Sequence, residues 1–275
     1  MDTILESLGP GHLVLDLGCG KGSFQYASYK CKILGIDLAL DGSAPSVAPD
    51  RIFYACGDSH ALPLSSSTID FAVCNHSLEH VAHIGETLSE LARVLKPRGF
   101  LWISVPDGFG FDDGLYRFLY NGGGHINRFS FAGLKNAVES TGLQLVQSNT
   151  LTSSFIYCKR PEDAAWPYLS RRSKLLHIVG ILRPVASVLN EATRFLDRRF
   201  HSRLSRYGWG FLFARGAPAE RFALPSYFNV CAGCGSGHAI QTLRPGAYKR
   251  WTIPFYRCPR CNEANLMFDP PAGFD

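Results

Sequence analysis

Glycine recurs at every second position in Leu15-Asp16-Leu17-Gly18-Cys19-Gly20-Lys21-Gly22-Ser23, directly after an apolar run. Glycine permits a tight turn and lets a ligand approach the backbone closely. Carboxylates stand at the ends of the next two apolar runs: Asp37, 21 residues after Asp16, and then Asp58. A carboxylate so placed accepts hydrogen bonds from ribose hydroxyls. Near the C-terminus, Cys231-Ala232-Gly233-Cys234 and Cys258-Pro259-Arg260-Cys261 are separated by 23 residues. Two C-x-x-C pairs at this separation are a zinc-ribbon signal. Four thiolates fill a tetrahedral Zn2+ site and leave no position for a substrate water, so the metal is expected to be structural. A segment of about 50 residues has too little core to fold unaided, which gives the metal a physical purpose.

These residues need a scaffold, and the chain spells one. Residues 12–17, 32–37, 51–56, 69–74 and 100–105 are short, nearly continuous apolar runs, as expected of strands buried on both faces. Ile84 to Leu95 has helical spacing, and Pro97 and Gly99 are expected to stop it. A second helix is expected over 130–142, capped by Ser130 and ended by Gly142. Residues 143–157 are strand-like, and Gly208 to Phe213 is a further strand. This alternation predicts a doubly wound α/β sheet.

Charge divides the chain further. Residues 1–158 carry a net −5, residues 159–221 a net +8 and residues 222–275 a net +2, together the chain's +5. Charged residues are 19% and hydrophobic residues 46% of the 275, which excludes a disordered chain and a coiled coil. The nine cysteines are unevenly spread and do not form a secreted disulfide framework. There is no basic and apolar leader pattern at the start and no run of about 18 apolar residues, so the expected location is cytoplasmic.

The stretches 15–22, Gly35-Ile36-Asp37-Leu38, 57–64, 71–81 and Leu95-Lys96-Pro97-Arg98-Gly99-Phe100 together resemble the class I S-adenosylmethionine-dependent methyltransferases, in the small-molecule group. The resemblance covers roughly residues 12–157. A nicotinamide-binding domain would need G-x-G-x-x-G, whereas here the third glycine comes one residue early and Ser23 takes its place. The resemblance implies a seven-stranded Rossmann-like sheet, its seventh strand near Gly210. It also implies roles for individual residues. Asp16, Gly18 and Gly20 would surround the amino-acid end of the cofactor. Asp37 would hold the ribose, and Asp58 and Ser59 the adenine. Cys74 and Asn75 would line the cofactor from the fourth strand, with Cys19, Gly22 and Leu38 as further contacts.

Methyl transfer needs donor and acceptor held in line, and a base only where the acceptor is a hydroxyl or a carbon acid. His80, at the mouth of the cofactor site, and His125, in a glycine-rich loop, are the candidate bases. The implied function is transfer to a small-molecule, glycan or lipid-linked acceptor. The alternative is an RNA-modifying or RNA-binding protein that uses the ribbon and an arginine-rich face.

The map that follows is 1–158 cofactor core, 159–207 basic helical insertion acting as a lid, 208–221 last core strand and linker, and 222–275 zinc ribbon. The insertion has apolar or small residues at Leu175, Val179, Leu182, Ala186, Leu189 and Leu196, and Pro184 is expected to split it into two helices. Its arginines, Arg171, Arg172, Arg183, Arg194, Arg198, Arg199, Arg203 and Arg206, leave three readings open: a solvated face, a membrane-surface contact over 171–206 at the inner face, or a nucleic-acid face. The first strand starts after eleven residues of this sequence, so no helices covering the acceptor pocket are expected before it.

Overall fold

A computed structural model of the chain describes residues 1–40, 50–120, 122–155, 157, 183–216, 222, 224–272 and 274. The chain forms two compact units. The first comprises Met1–Val105, Ile126–Ser148 and Trp209–Leu224, and the second Pro106–His125, Asn149–Gly208 and Pro225–Asp275. These boundaries follow packing rather than the changes in composition at residues 158, 207 and 221.

Seven strands form one sheet: β1 (Leu13–Leu17), β2 (Lys32–Asp37), β3 (Ile52–Cys56), β4 (Ile69–Asn75), β5 (Leu95–Pro106), β6 (Gln144–Thr152) and β7 (Arg206–Ala214), in the order β3-β2-β1-β4-β5-β7-β6. β1 pairs in parallel with β2 on one side and β4 on the other, and β5 runs parallel to β4. Strand order therefore reverses between β1 and β4, where open α/β sheets form a ligand crevice. β7 runs against β5: Arg98 and Gly99 bond to Arg215 at one end, and Asp107 to Tyr207 at the other.

Alternation along the strands explains the apolar runs. Val14, Ile33, Phe71, Val73 and Trp102 enter one core layer, and Leu15, Ile36, Ala72, Cys74 and Ile103 the other. Helix α1 (Asp2–Ser7) buries Ile4 and Leu5 in the first layer. This short helix before β1 packs on the core. Helix α2 (Ile84–Val94) buries Leu88 and Leu91 in the second layer. β5 then begins at Leu95, earlier than the sequence suggests. The ladder shifts register between Ile69 and Phe71, and Arg98 takes a φ of 69°, which accommodates Pro97 and Gly99 within the strand.

In the second unit, helix α3 (Phe111–Leu119) packs Leu119 and Tyr120 against Phe155 and Leu189. Helix α4 (Phe131–Glu139) belongs to the first unit and is capped by Ser130, whose Oγ accepts from Gly133 N at 3.1 Å. Of the basic insertion, residues 159–182 lie outside the described residues, Leu175, Val179, Leu182, Arg171 and Arg172 among them. From Arg183 a single helix, α5, runs to Phe200, with Pro184 at its second described position. Its burial inverts the expected pattern. Leu189 and Leu196 are only half-buried, whereas Asn190, Thr193, Arg194 and Asp197 are buried and Val188, Phe195 and Phe200 exposed. Arg198, Arg199 and Arg203 do face solvent. Arg194 does not: it donates to the carbonyls of Asn190 (2.8 Å), Ser153 (2.7 Å) and Phe228 (2.8 Å). Arg206 donates to Asp107 at 2.6 Å.

The C-terminal segment carries β8 (Asn229–Val230) paired with β9 (Gly237–His238), helix α6 (Ile240–Leu243), and a three-stranded sheet of β10 (Tyr248–Arg250), β11 (Ile253–Arg257) and β12 (Ala264–Leu266). Among the described residues, no helix is long and apolar enough to cross a membrane.

Candidate cofactor site and metal centre

The glycine loop leaves β1 at its carboxyl end, beside the β1/β4 switch point. Asp16 is fully buried just before it and spends its carboxylate on the loop. It accepts from Ser23 N at 3.0 Å, Ser23 Oγ at 2.8 Å and the hydroxyl of Tyr26. Burial raises its pKa, and these hydrogen bonds oppose the rise. Gly18 sits at a φ of 73°, and a Cβ there would lie 2.4 Å from the Cβ of Ser77, so only glycine fits. Its N–H donates to Ile36 O at 2.8 Å, and Gly20 N donates to Asp37 Oδ2 at 2.8 Å. The loop thus grips β2 and orients the carboxylate at its end.

A cavity of about 520 Å³ opens here, lined by Gly18, Asp37, Leu38, Asp58, Ser59 and His80 among others. The remaining sequence candidates are not among its lining residues. Cys19 is buried against Gly35, where a Cβ would come within 2.8 Å of its sulfur, and burial pushes its thiol up to about 12. Gly20 and Gly22 hold positive φ values of 49° and 112° in the loop. Cys74 is fully buried in the core, which raises its thiol pKa. Asn75 donates to Ser23 O at 3.1 Å and accepts from Ser104 Oγ at 2.5 Å, so it braces the loop from β4.

The walls suit an adenosyl group. Carboxylate oxygens accept hydrogen bonds, and Asp37 ends β2 while Asp58 follows the adjacent parallel β3, where a ribose diol and an adenine amine can donate. Leu17, Ile36, Leu38 and Val81 give the apolar contact a purine ring needs. Sequence reasoning missed two contributors: Ser77, which excludes any side chain at Gly18, and the rim histidine His60, whose ring lies 4.6 Å from that of His83, a histidine the sequence places near His80. It also missed Asn127, whose side chain donates to Leu78 O (3.0 Å) and Val81 O (2.6 Å) and so clamps the turn that carries His80. Its only sequence signal is a position just after a glycine-rich loop.

His125 belongs to the second unit. Its Nδ1 lies 2.7 Å from Asp113 Oδ1, and its ring stacks on Tyr116 at 4.7 Å. Arg117 donates to Asp113 at 2.5 Å and to His125 O at 2.6 Å. Burial would raise the pKa of Asp113, but the His125 and Arg117 hydrogen bonds outweigh it and hold it low. The neighbouring Asp112 accepts from Ser153 Oγ (2.9 Å) and the Tyr157 hydroxyl (3.0 Å), and burial pushes its pKa up to about 7.

The four C-terminal cysteines converge: their sulfurs all lie within 4.8 Å of one another. Cys231 and Cys261 are 3.5 Å apart, and Cys234 and Cys258 3.6 Å. Zn–S bonds of about 2.3 Å set tetrahedron edges of about 3.8 Å, so the donor set fits zinc. The two knuckles repeat one backbone pattern. Cys231 N donates to Ser236 O and Gly235 N to Cys231 O; Cys258 N donates to Glu263 O and Asn262 N to Cys258 O. Gly235 and Asn262, each directly after the second cysteine of its pair, take φ values of 76° and 62°. Gly233 N and Asn265 Nδ2 donate to Cys231 Sγ at 3.3 and 3.5 Å, and His238 Nε2 is 3.3 Å from Cys258 Sγ. Such contacts orient thiolate ligands.

Comparison with known proteins agrees with this geometry. A family model described as a methyltransferase domain matches residues 2–148, just over half of the chain. The chain is similar to a biotin biosynthesis bifunctional protein (BioHC) of Cellvibrio japonicus, 34% identical over 48% of the chain and 27% of that protein. It is also similar to a 2-phytyl-1,4-naphtoquinone methyltransferase of Synechocystis, 32% identical over 34% and 44%, and to a malonyl-[acyl-carrier protein] O-methyltransferase of Yersinia pestis, 31% identical over 34% and 37%. The chain therefore spans less than half the length of these relatives. A phosphoethanolamine N-methyltransferase of Haemonchus contortus in complex with S-adenosylhomocysteine shares the fold, with a TM-score of 0.54, 17% identity and coverage of 77% and 50%. So does the [4+2]-cyclase SpnF, with a TM-score of 0.52, 18% identity and coverage of 79% of both chains. The fold alone thus hosts more than one reaction. With the glycine loop, the β1/β4 crevice and the matched residues 2–148 taken together, the chain belongs to the methyltransferase domain family, of the class I S-adenosylmethionine-dependent type.

Proposed function

We propose that this protein binds S-adenosylmethionine in the cavity between Gly18, Asp37 and Asp58 and transfers its methyl group to a small-molecule acceptor. The observation that carries this reading is the pair of carboxylates at the ends of β2 and β3 facing one apolar cavity beside the glycine loop. When bound, the cofactor supplies an electrophilic sulfonium methyl. The chain's own part is to orient the ribose through Asp37, to exclude water with Leu38 and Val81, and to hold the acceptor in line. His80, on the cavity wall and clamped through Asn127, is proposed as the base where the acceptor bears a removable proton. His125, with its ring fixed by Asp113, is the second candidate.

For the acceptor we propose an apolar or lipid-linked molecule over a glycan. Three relatives are named for such compounds: the naphtoquinone methyltransferase, a demethylmenaquinone methyltransferase and a sterol 4-C-methyltransferase. We further propose that Cys231, Cys234, Cys258 and Cys261 hold one structural Zn2+ ion.

Titration calorimetry with S-adenosylmethionine tests the cofactor site. Asp37→Asn is expected to weaken binding at least about tenfold, since a ribose diol loses a charged acceptor. His80→Ala is expected to leave that affinity unchanged and to lower turnover about 100-fold with an acceptor found by labelled-cofactor screening. Equal loss of both in His80→Ala would reassign His80 to a structural role.

A further inference from the structure

The hairpin of the C-terminal sheet ends in an exposed turn. β10 and β11 pair antiparallel with Arg250 opposite Ile253, which leaves Trp251 and Thr252 as the turn. Trp251 has a φ of 64°, a region where glycine or asparagine sits easily and a bulky side chain is strained. Its indole is 93% exposed, so no burial offsets that strain. Ile253 beside it is 50% exposed and Tyr248 38%. A strained residue that buries nothing within the chain is explained by something outside it.

The charge around the tip indicates what. Between residues 237 and 268 the chain has five Lys or Arg and one acidic residue, Glu263. Arg244 is paired with Asp269 at 3.2 Å, Arg257 donates to Asn262 O at 3.2 Å, and Arg260 donates to Ser236 Oγ at 3.3 Å. Lys249 and Arg250, directly before Trp251, form no ion pair among the described residues. Four thiolates around one Zn2+ would bring the formal +2 of residues 222–275 to about zero, so the positive charge is local to Lys249 and Arg250 at the tip.

We propose that the Tyr248–Ile253 hairpin tip is a docking site for an anionic lipid bilayer, with Trp251 and Ile253 at headgroup depth and Lys249 and Arg250 on lipid phosphates. Indole rings favour the bilayer interface, and basic residues beside them are attracted to anionic leaflets. A single-stranded nucleic acid would instead need successive open ring faces. Here Tyr248 and Phe255 stack on each other, 5.8 Å apart and 19° from parallel, and Ile253 offers no ring, so Trp251 alone is open. The inference does not depend on methyl transfer.

The test is co-sedimentation of the full, zinc-loaded chain with vesicles of phosphatidylcholine alone and of phosphatidylcholine with phosphatidylglycerol, at low and high salt. The expected result is binding to the anionic vesicles only, weakened by salt. Trp251→Asn is expected to reduce the bound fraction at least about fivefold while zinc content and melting temperature are kept, because asparagine relieves the strain. Lys249→Glu with Arg250→Glu is expected to abolish binding. Absence of vesicle binding, equal binding by Trp251→Asn, or Trp251-dependent binding of a thymidine oligonucleotide without vesicle binding would each overturn the proposal.

Discussion

β1 and α5 are stabilised in opposite ways. β1 sends Val14 into one apolar layer and Leu15 and Leu17 into the other, and its one buried charge, Asp16, is satisfied within ten residues of sequence. Helix α5 buries Asn190, Thr193, Arg194 and Asp197 and exposes Val188, Phe195 and Phe200. Its order comes from specific polar partners. Arg194 joins three carbonyls from three segments, and Asp197 gathers Ser202 Oγ, Leu204 N and both Ser205 donors at 2.5 to 2.9 Å. Apolar burial tolerates substitution by volume, whereas a polar staple fails as soon as one partner is removed.

The largest test of this contrast is the metal. Cys231→Ser with Cys258→Ser is expected to take the protein from about one zinc per chain to none and to unfold the segment around it, read by metal analysis and proteolysis; a metal-free, stably folded tail would refute the zinc assignment. Next is Arg194→Met, which takes the side-chain donor from the Ser153 and Phe228 carbonyls, while Asn190 O keeps the Thr193 hydroxyl, and is expected to cost about 3–5 kcal/mol in denaturant unfolding. Leu91→Ala in the first unit, a cavity effect, is expected to cost about 2–4 kcal/mol and to be partly rescued by Leu91→Met. A rescue of Arg194→Met by another apolar residue would break the contrast.

A smaller effect concerns Asp112. Its folded pKa, near 7, lies above the ordinary value, so the folded state holds a proton that the unfolded state has released between about pH 4 and 7. Stability from this group is full below pH 4 and falls as pH rises to 7. Asp112→Asn mimics the protonated form and is expected to flatten that slope in pH-dependent melting. The smallest effect is expected for Phe195→Ser, within about 0.5 kcal/mol, because the ring is already exposed.

How much was legible follows from the same contrast. The strands through β5, the glycine loop, α2, α4 and the cysteine knuckles all announce themselves by local pattern, since their determinants lie within a few residues of one another. The face of α5 does not. Its leucines have helical spacing, but Arg194 finds Ser153 and Phe228, 41 and 34 residues away, and no periodicity encodes such partners. The sequence marks Asp16 as a candidate cofactor contact, and in the structure its hydrogen bonds to Ser23 and Tyr26 close the loop. Ser77 was not legible, because its role depends on the missing side chain of Gly18 across a turn.

The depth at which each described thiol lies gives the protein a stepwise readout of its own state. Cys19, Cys31 and Cys74 are buried with raised pKa values, and Cys56 is exposed at the end of β3. An alkylating reagent should therefore modify Cys56 rapidly in the native, metal-loaded chain and leave those three untouched. Loss of metal would add the four terminal cysteines to the reactive set, and only global unfolding would add Cys19, Cys31 and Cys74. Mass shifts in adduct-sized steps would then separate metal release from unfolding in a single sample.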